Sequence, residues 1–277
     1  MIRRSLIFRT SARVLADSAQ SYDTSCGVHR SMTNVDGTDA STGLIVELRT
    51  AIERAAADAG VALVGFADLS SLEGLPVGDP STLGFRSAIS LAVEMPEDAV
   101  RSAEGSPSIS LREAYKQNNK CLKQASASIA ALLQEAGFQG RTVDPAQRVV
   151  PEELLGPISH KAVALRAGLG WIGKNGLLIT ERFGPRVRLG TVLTDMPVAG
   201  PGEMPMNQCG DCTACIDQCP TRSLKCSSFP KHPSSRDEVI DWAKCGRYEA
   251  ALIGDGSKPE KACGRCIVNC PHSFPGR

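Results

Sequence analysis

Cys209-Gly-Asp-Cys212-Thr-Ala-Cys215-Ile-Asp-Gln-Cys219-Pro220 carries four cysteines in the pattern C-x2-C-x2-C-x3-C, closed by a proline. Further on, Cys263-Gly-Arg-Cys266-Ile-Val-Asn-Cys270-Pro271 repeats the ending, with Glu260 standing where a first cysteine would fall. Of eleven cysteines, only Cys26 and Cys121 lie outside the stretch from Cys209 to Cys270. A secreted disulfide scaffold is short and evenly stapled, so this clustering points instead to thiols working together in a reducing compartment. Cytosol is the expected setting, or an organelle matrix.

Two intervening residues let a turning backbone set successive sulfurs on one small cluster, which is the bacterial ferredoxin arrangement. In that arrangement the cysteine before the proline serves the other cluster of a pair. A second cluster is therefore expected, with Cys245 or Cys226 supplying its missing ligand. Our assignment gives Cys209, Cys212, Cys215 and Cys270 to one [4Fe–4S] cluster. Cys219, Cys245, Cys263 and Cys266 go to the other. Structural zinc shares the C-x2-C signature but has no use for the tight third cysteine or the Cys-Pro ending. Cys26, Cys121 and Cys226 are left as packing or surface thiols.

Outward from the cysteines, the 277-residue chain has room for one large domain or two smaller ones. A formal charge of +1 gives no global pull toward nucleic acid or membrane, and no apolar run is long enough to span a bilayer. Residues 1–42 read as a disordered leader; four arginines and no acid before Asp17 also suit a transit peptide. From Gly43 a helical period runs to Gly60, followed by a strand over Val61–Leu69 and another over Ser87–Val93. A helix is expected over Leu111–Ala136, a strand over Gly140–Asp144, a helix over Ser159–Ala167 and β structure over Gly184–Asp195. This order predicts an α/β (α+β) layered domain over 43–198. Pro197–Pro205 is the linker to a two-[4Fe–4S] ferredoxin-like domain over 199–277, with a helix over Asp237–Lys244 ahead of Cys245.

About 150 ordered residues precede the cysteines, more than a bare electron carrier needs. Their most distinctive stretch holds Gly168, Gly170, Trp171, Gly173, Lys174, Asn175 and Gly176. The glycines permit a close backbone approach, to a ligand or to another part of the chain in a tight turn, and Trp171 offers a flat face. The glycine spacing follows a helix rather than a strand, the wrong context for a dinucleotide fingerprint. AGLGWIGKNGLLIT, then LGTVLTD, then CGDCTACIDQCPTRSL resembles the epoxyqueuosine reductase family, distantly akin to reductive dehalogenases. The resemblance runs from about Leu44 to Pro271. It implies a corrinoid-binding α/β domain, with cobalamin as second cofactor, and electron flow from a flavodoxin- or ferredoxin-type donor through both clusters. The implied reaction reduces an epoxide on a modified base of transfer RNA. Gly168, Gly170, Trp171, Gly173, Lys174 and Asn175 become candidate cofactor contacts.

Two departures from the family pattern stand out. The family's Asp-Ser-x-Pro-x-x-Glu-Arg stretch, whose Asp is its proposed proton donor, aligns on Pro157 so that Leu154 occupies the Asp position. His160-Lys161 then replaces Glu-Arg. Leucine donates no proton, so the role passes to His160, Glu153 or Glu152, or the chemistry differs; charge near His160 would decide whether it acts as an acid. The sequence also ends at Arg277, before the C-terminal repeats that help family members grip transfer RNA, which leaves that partner weakly supported. No DNA or membrane partner is expected. The alternatives are an electron-transfer protein whose α/β domain docks a partner, or a corrinoid-reactivating protein.

Overall fold

The computed structural model describes residues 37–277 except 72–75, 151–154, 202–203, 229–231, 253–260 and 276–277. In chain order these form α1 (Gly37–Asp58), β1 (Leu63–Asp68), β2 (Ser87–Glu94), α2 (Glu97–Arg101), α3 (Ile109–Glu135), β3 (Gly140–Val143) and α4 (His160–Arg166). There follow β4 (Trp171–Ile172), β5 (Leu178–Ile179), β6 (Val187–Thr194), α5 (Ala214–Asp217), α6 (Trp242–Ala250) and α7 (Arg265–Val268).

The strands predicted from apolar runs pair into one sheet in the order β1-β2-β6-β3, every pair antiparallel. Ile89, Leu91 and Val93 of β2 face one way, with Phe66 and Val192, against Leu48 and Ile52 of α1 and Leu122, Ile129 and Leu133 of α3. Ala88 and Leu193 face the other way, against Ala162 and Val163 of α4. Burial on both faces explains why these strands read as continuous apolar runs rather than as alternation. The layered α/β expectation holds, with helices on both faces of an antiparallel sheet.

Several boundaries differ from the sequence reading, each for a local reason. Helix α1 begins at Gly37 rather than Gly43, so residues 37–42, read as leader, are helical; once nucleated, a helix extends at little cost. Residues 1–36 lie outside the described residues, and the transit-peptide reading lies there with them. Helix α3 starts before Leu111 because the Ser108 hydroxyl accepts from the Leu111 N–H at 3.1 Å, an N-cap. Cys245, expected after a helix, sits inside α6. That helix opens at Asp241, whose carboxylate caps the Lys244 N–H at 2.9 Å.

The two cysteine motifs fold alike. Helices α5 and α7 occupy equivalent places and repeat each other's hydrogen bonds. Ile216 N–H bonds Thr213 C=O as Ile267 N–H bonds Gly264 C=O, and Cys219 N–H bonds Ile216 C=O as Cys270 N–H bonds Ile267 C=O. This cysteine segment is packed against the α/β layers. Ala262, Ile267 and Val268 share a core with Met95, Val100 and Leu111. Arg186, 5% exposed, holds the Met95 carbonyl at 2.8 Å and Glu94 at 2.9 Å while its Nε donates to the Ser273 carbonyl. Among the described residues no helix is long and apolar enough to cross a membrane.

Gly184 lies where the α/β layers meet the backbone after Cys270. It adopts φ +55°, and a Cβ there would stand 2.1 Å from the His272 carbonyl oxygen. A left-handed side chain costs ~1–2 kcal/mol, and overpacking against backbone adds about 1–3 kcal/mol. Gly184→Ala is therefore expected to lower stability by at least about 2 kcal/mol in urea denaturation. Gly246→Ala, in helix α6 with nothing within 4 Å of its Cβ, should instead gain about 0.5–1 kcal/mol. Equal stability of Gly184→Ala and the unmodified protein would mean that the His272 backbone does not seat there.

Candidate functional site

Glycines 168, 170, 173 and 176 build a tight turn and a two-stranded hairpin, in which Trp171 pairs with Ile179 and Ile172 with Leu178. The close approach these glycines allow is to protein. A Cβ at Gly170 would meet the Ile179 carbonyl at 2.0 Å, one at Gly168 would meet Pro201, and one at Gly176 would meet Val239. Gly173 is crowded by Asn175 Oδ1 and Ile179. Of the two readings the sequence allowed, the turn accounts for what these glycines touch.

Lys174 and Asn175 sit at the hairpin's tip and point into the cysteine segment. Lys174 Nζ donates to the Gly210 carbonyl at 2.6 Å and the Cys212 carbonyl at 3.1 Å. Asn175 Nδ2 donates to the Cys266 carbonyl at 3.1 Å, while its Oδ1 accepts from the Leu177 N–H. Lys161 Nζ donates to the Gly176 carbonyl at 2.5 Å, bracing the hairpin from α4. Trp171, 3% exposed, stands edge-on to His272 with ring centroids 5.1 Å apart. Its indole N–H is buried without a hydrogen-bond partner among the described residues.

The thiols gather into two neighbouring groups. Burial first, then the nearby Cys270, Cys209 and Cys212 thiols, pushes Cys215 up to about 11. Cys270 is pushed up to about 11, chiefly by burial with Cys209 and Cys212 adding to it against hydrogen bonds from the His272 and Ser273 backbone. Cys245 is pushed up to about 11 by burial and then by Glu249, Cys263 and Cys219. Burial likewise raises Cys266, which feels Cys263, Cys245 and Cys219 and also Cys215 of the first group. Cys226, exposed and at φ +58°, figures as a neighbour of none of these thiols. Cys121 bonds the Ala59 carbonyl at 2.8 Å beside the α1–α3 core.

Cys219 differs from the other thiols. Burial works to raise it, but hydrogen bonds from the Thr221 hydroxyl and from the backbone of Ser223, Thr221 and Leu224 outweigh burial and lower it. The Ser223 N–H lies 3.4 Å from its sulfur. A thiolate already furnished with N–H donors is what a cluster ligand requires. Among the described residues no three His, Cys, Asp or Glu side chains converge on one ion. The donors available are grouped, soft thiols, which suit iron–sulfur clusters. On this chemistry the residues fit two such clusters.

A cluster of cationic side chains adjoins the second group. Strand β3 pairs with Thr191–Thr194, so beyond Thr191 that side of β6 has no strand partner among the described residues. There Arg188 reaches Asn119 Oδ1 at 2.8 Å and the Pro145 carbonyl at 3.2 Å, with its guanidinium 5.4 Å from the Tyr115 ring. Burial lowers the Arg188 pKa; Tyr115 opposes this, and the nearby charges of Arg112 and Arg148 add to it. Arg112 Nε is buried with no hydrogen-bond partner among the described residues. Tyr115 is pushed up to about 12 by burial, with Cys266 and Cys263 as neighbours. Sequence reasoning passed over Tyr115 and Arg112, since nothing in their local pattern signals what the fold brings opposite them.

His160 lies beside this cationic cluster at the start of α4. Its Nδ1 lies 2.8 Å from Thr191 Oγ1. Burial first, and then the Arg188 charge, holds its pKa down to about 4 against the opposing pull of Asp144. The nearby charge thus disfavours the imidazolium, and His160 is a neutral imidazole at pH 7. Lys161 is pushed down to about 8 by burial and Arg236. Glu152, Glu153 and Leu154 lie outside the described residues, so Glu153 has no position to report.

These features define a mixed α/β protein whose cysteine-rich segment is built into the same core as its sheet. No family profile matches the chain. The epoxyqueuosine reductase of Gloeobacter violaceus is 36% identical over 201 residues, 69% of this chain and 57% of that protein. The enzyme of the same name from Synechocystis is 47% identical over 126 residues, 42% of this chain and 40% of that one. The chain thus spans 57% and 40% of the lengths of these two relatives. In fold it is similar to the epoxyqueuosine reductase of Streptococcus thermophilus, TM-score 0.51 at 21% identity, covering 81% of this chain and 66% of that one. It is also similar to a reductive dehalogenase described as B12-dependent, TM-score 0.64 at 20% identity, covering 82% of this chain and 32% of that one. The resemblance to the epoxyqueuosine reductase-like family read from the sequence is borne out.

The His160 environment carries a measurable sign. An unfolded histidine takes up its proton near pH 6.5, the folded one only near 4. Between those values the unfolded state binds more protons, so stability rises with pH through that window and is lost as pH falls from about 6.5 toward about 4. Thermal melts across that range should be flatter for His160→Gln than for the unmodified protein. Parallel curves would place His160 in solvent.

Proposed function

We propose that this chain is an iron–sulfur reductase of the epoxyqueuosine reductase type, with two [4Fe–4S] clusters and cobalamin as its cofactors. The observation that supports this most is the gathering of the cysteine thiols into two adjoining groups against the Gly168–Asn175 hairpin. Cys209, Cys212, Cys215 and Cys270 hold one cluster; Cys219, Cys245, Cys263 and Cys266 hold the other. Cys212 is the exposed thiol of its set, so a flavodoxin- or ferredoxin-type donor delivers electrons at that edge.

Cobalamin, when bound, supplies a reductant strong enough to open an epoxide. The chain's residues serve binding and charge. Within the hairpin, Gly168, Gly170 and Gly173 set the backbone path, Trp171 offers an indole N–H that still lacks an acceptor, and Lys174 and Asn175 hold the cysteine loops. Arg188 and Arg112 gather positive charge suited to the phosphates of a cofactor or of RNA. His160 keeps a neutral ring beside Thr191 and orients rather than delivers a cationic proton. The substrate is an epoxide-bearing base of transfer RNA. One likeness in fold, TM-score 0.56 at 19% identity, is to an epoxyqueuosine reductase solved with a transfer-RNA stem loop.

Anaerobic reconstitution with iron and sulfide is expected to give a broad visible shoulder, and added cobalamin should bind and support turnover of epoxyqueuosine-containing transfer RNA. Cys245→Ser should lose half of the iron and Cys226→Ser none; the reverse pattern would overturn the pairing. Clusters with no cobalamin binding and rapid electron transfer would identify a dedicated electron carrier instead. Cobalamin binding without turnover would leave a corrinoid-reactivating protein.

A further inference from the structure

Lys174 is a buried cation whose described hydrogen bonds go to neutral groups. It is 7% exposed, and its Nζ is held by the Gly210 and Cys212 carbonyls. A buried ammonium that carbonyls solvate, with no ion pair to a carboxylate among the described residues, is costly unless negative charge stands close by. Those two carbonyls belong to the turn between Cys209 and Cys212, in which the Cys212 N–H bonds the Cys209 carbonyl at 2.9 Å. The next residue, Asn175, makes the matching bond to the Cys266 carbonyl of the other motif, but it carries no charge. Adjacent residues thus hold both cysteine loops, one with a cation and one without.

We propose that Lys174 is the counter-ion of the cluster held by Cys209, Cys212, Cys215 and Cys270. It fixes that cluster's loop and sets its reduction potential. This rests on the cluster assignment above. Four thiolates make the site negative, and each added electron makes it more so. A fixed positive charge against the loop therefore favours the reduced form and raises the potential. The step is electron uptake alone, from the external donor, with no bond made or broken in the protein. Lys174 is buried and its bonds to the loop are part-buried, so Coulomb energies there are screened less than between two exposed groups. Its consequence for function is that electrons entering at exposed Cys212 meet a cluster made easier to reduce.

The test is an anaerobic redox titration, followed by electron paramagnetic resonance, of reconstituted protein with its iron and sulfide quantified. The unmodified protein is compared with Lys174→Gln, Lys174→Arg and Lys116→Gln, an exposed residue paired with Glu113. Lys174→Gln should move one of two midpoints to more negative potential and leave the other. Lys174→Arg and Lys116→Gln should leave both in place. Should Lys174→Gln lose half of its iron, recovery of that iron and of the midpoint in Lys174→Arg gives the same result. Unchanged midpoints in Lys174→Gln, an equal shift of both, or a loss that arginine does not recover would overturn the proposal. Absence of iron and sulfide from the unmodified protein would sink the cluster assignment itself, and the proposal with it.

Discussion

Two adjacent polar side chains, Lys174 and Asn175, tie a glycine-rich hairpin to the loops of both cysteine motifs, and most of the site's geometry depends on them. Neither can reach its carbonyls unless the hairpin turns as tightly as Gly170 and Gly173 allow, since a Cβ at either would meet Ile179 or Asn175. Lys161 then locks the turn by bonding the Gly176 carbonyl from α4, whose Ala162, Val163, Ala164 and Leu165 are buried. The path from sheet to thiol is therefore short and made of hydrogen bonds between buried groups. Such groups are worth little net when paired but costly when left unpaired. The arrangement is accordingly all-or-none, and one polar residue lost at the tip loosens a cysteine loop.

The opposite end of the cysteine segment is secured by different means. Arg186 spends its guanidinium on Glu94, the Met95 carbonyl and the Ser273 carbonyl, joining the edge of the sheet to the backbone that follows Cys270. Phe274 stacks under Arg101 and near Arg186, so apolar area and charge act on the same few residues. Cys270 closes the first thiol group from the far end of the chain. Holding its backbone against the sheet is what keeps that group together, because the residue comes from a different motif than its partners.

The sheet was legible in the sequence because burial on both faces leaves unbroken apolar runs, and β2, buried from Ser87 to Val93, was the plainest of them. Strand order was not, since antiparallel pairing of β2 with β6 brings together segments separated by three helices, a strand and a hairpin. Cysteine spacing announced the thiol groups because the spacing itself encodes local turns, seen in the matching hydrogen bonds of α5 and α7. The glycine motif announced close contact without saying with what, and the contact turned out to be protein. In the sequence Arg188 stands with Arg182 and Arg186 as a short local run of basic residues. Its meeting with Tyr115 and Arg112 depends on α3 lying across β6, which no local pattern carries.

The positive charge around Arg188 sets the terms for any proton chemistry there. Arg112 and Arg148 lie close enough to Arg188 to affect it, and Lys161 feels Arg236. The carboxylates nearby are already engaged, Asp144 with Lys123 at 2.7 Å and Glu249 with the Cys263 N–H at 2.9 Å. A region with this surplus draws anions and stabilises negative charge that develops within it. Burial first, and then the Arg188 charge, keeps the His160 ring neutral, so attraction of an anion to this region does not call on an imidazolium.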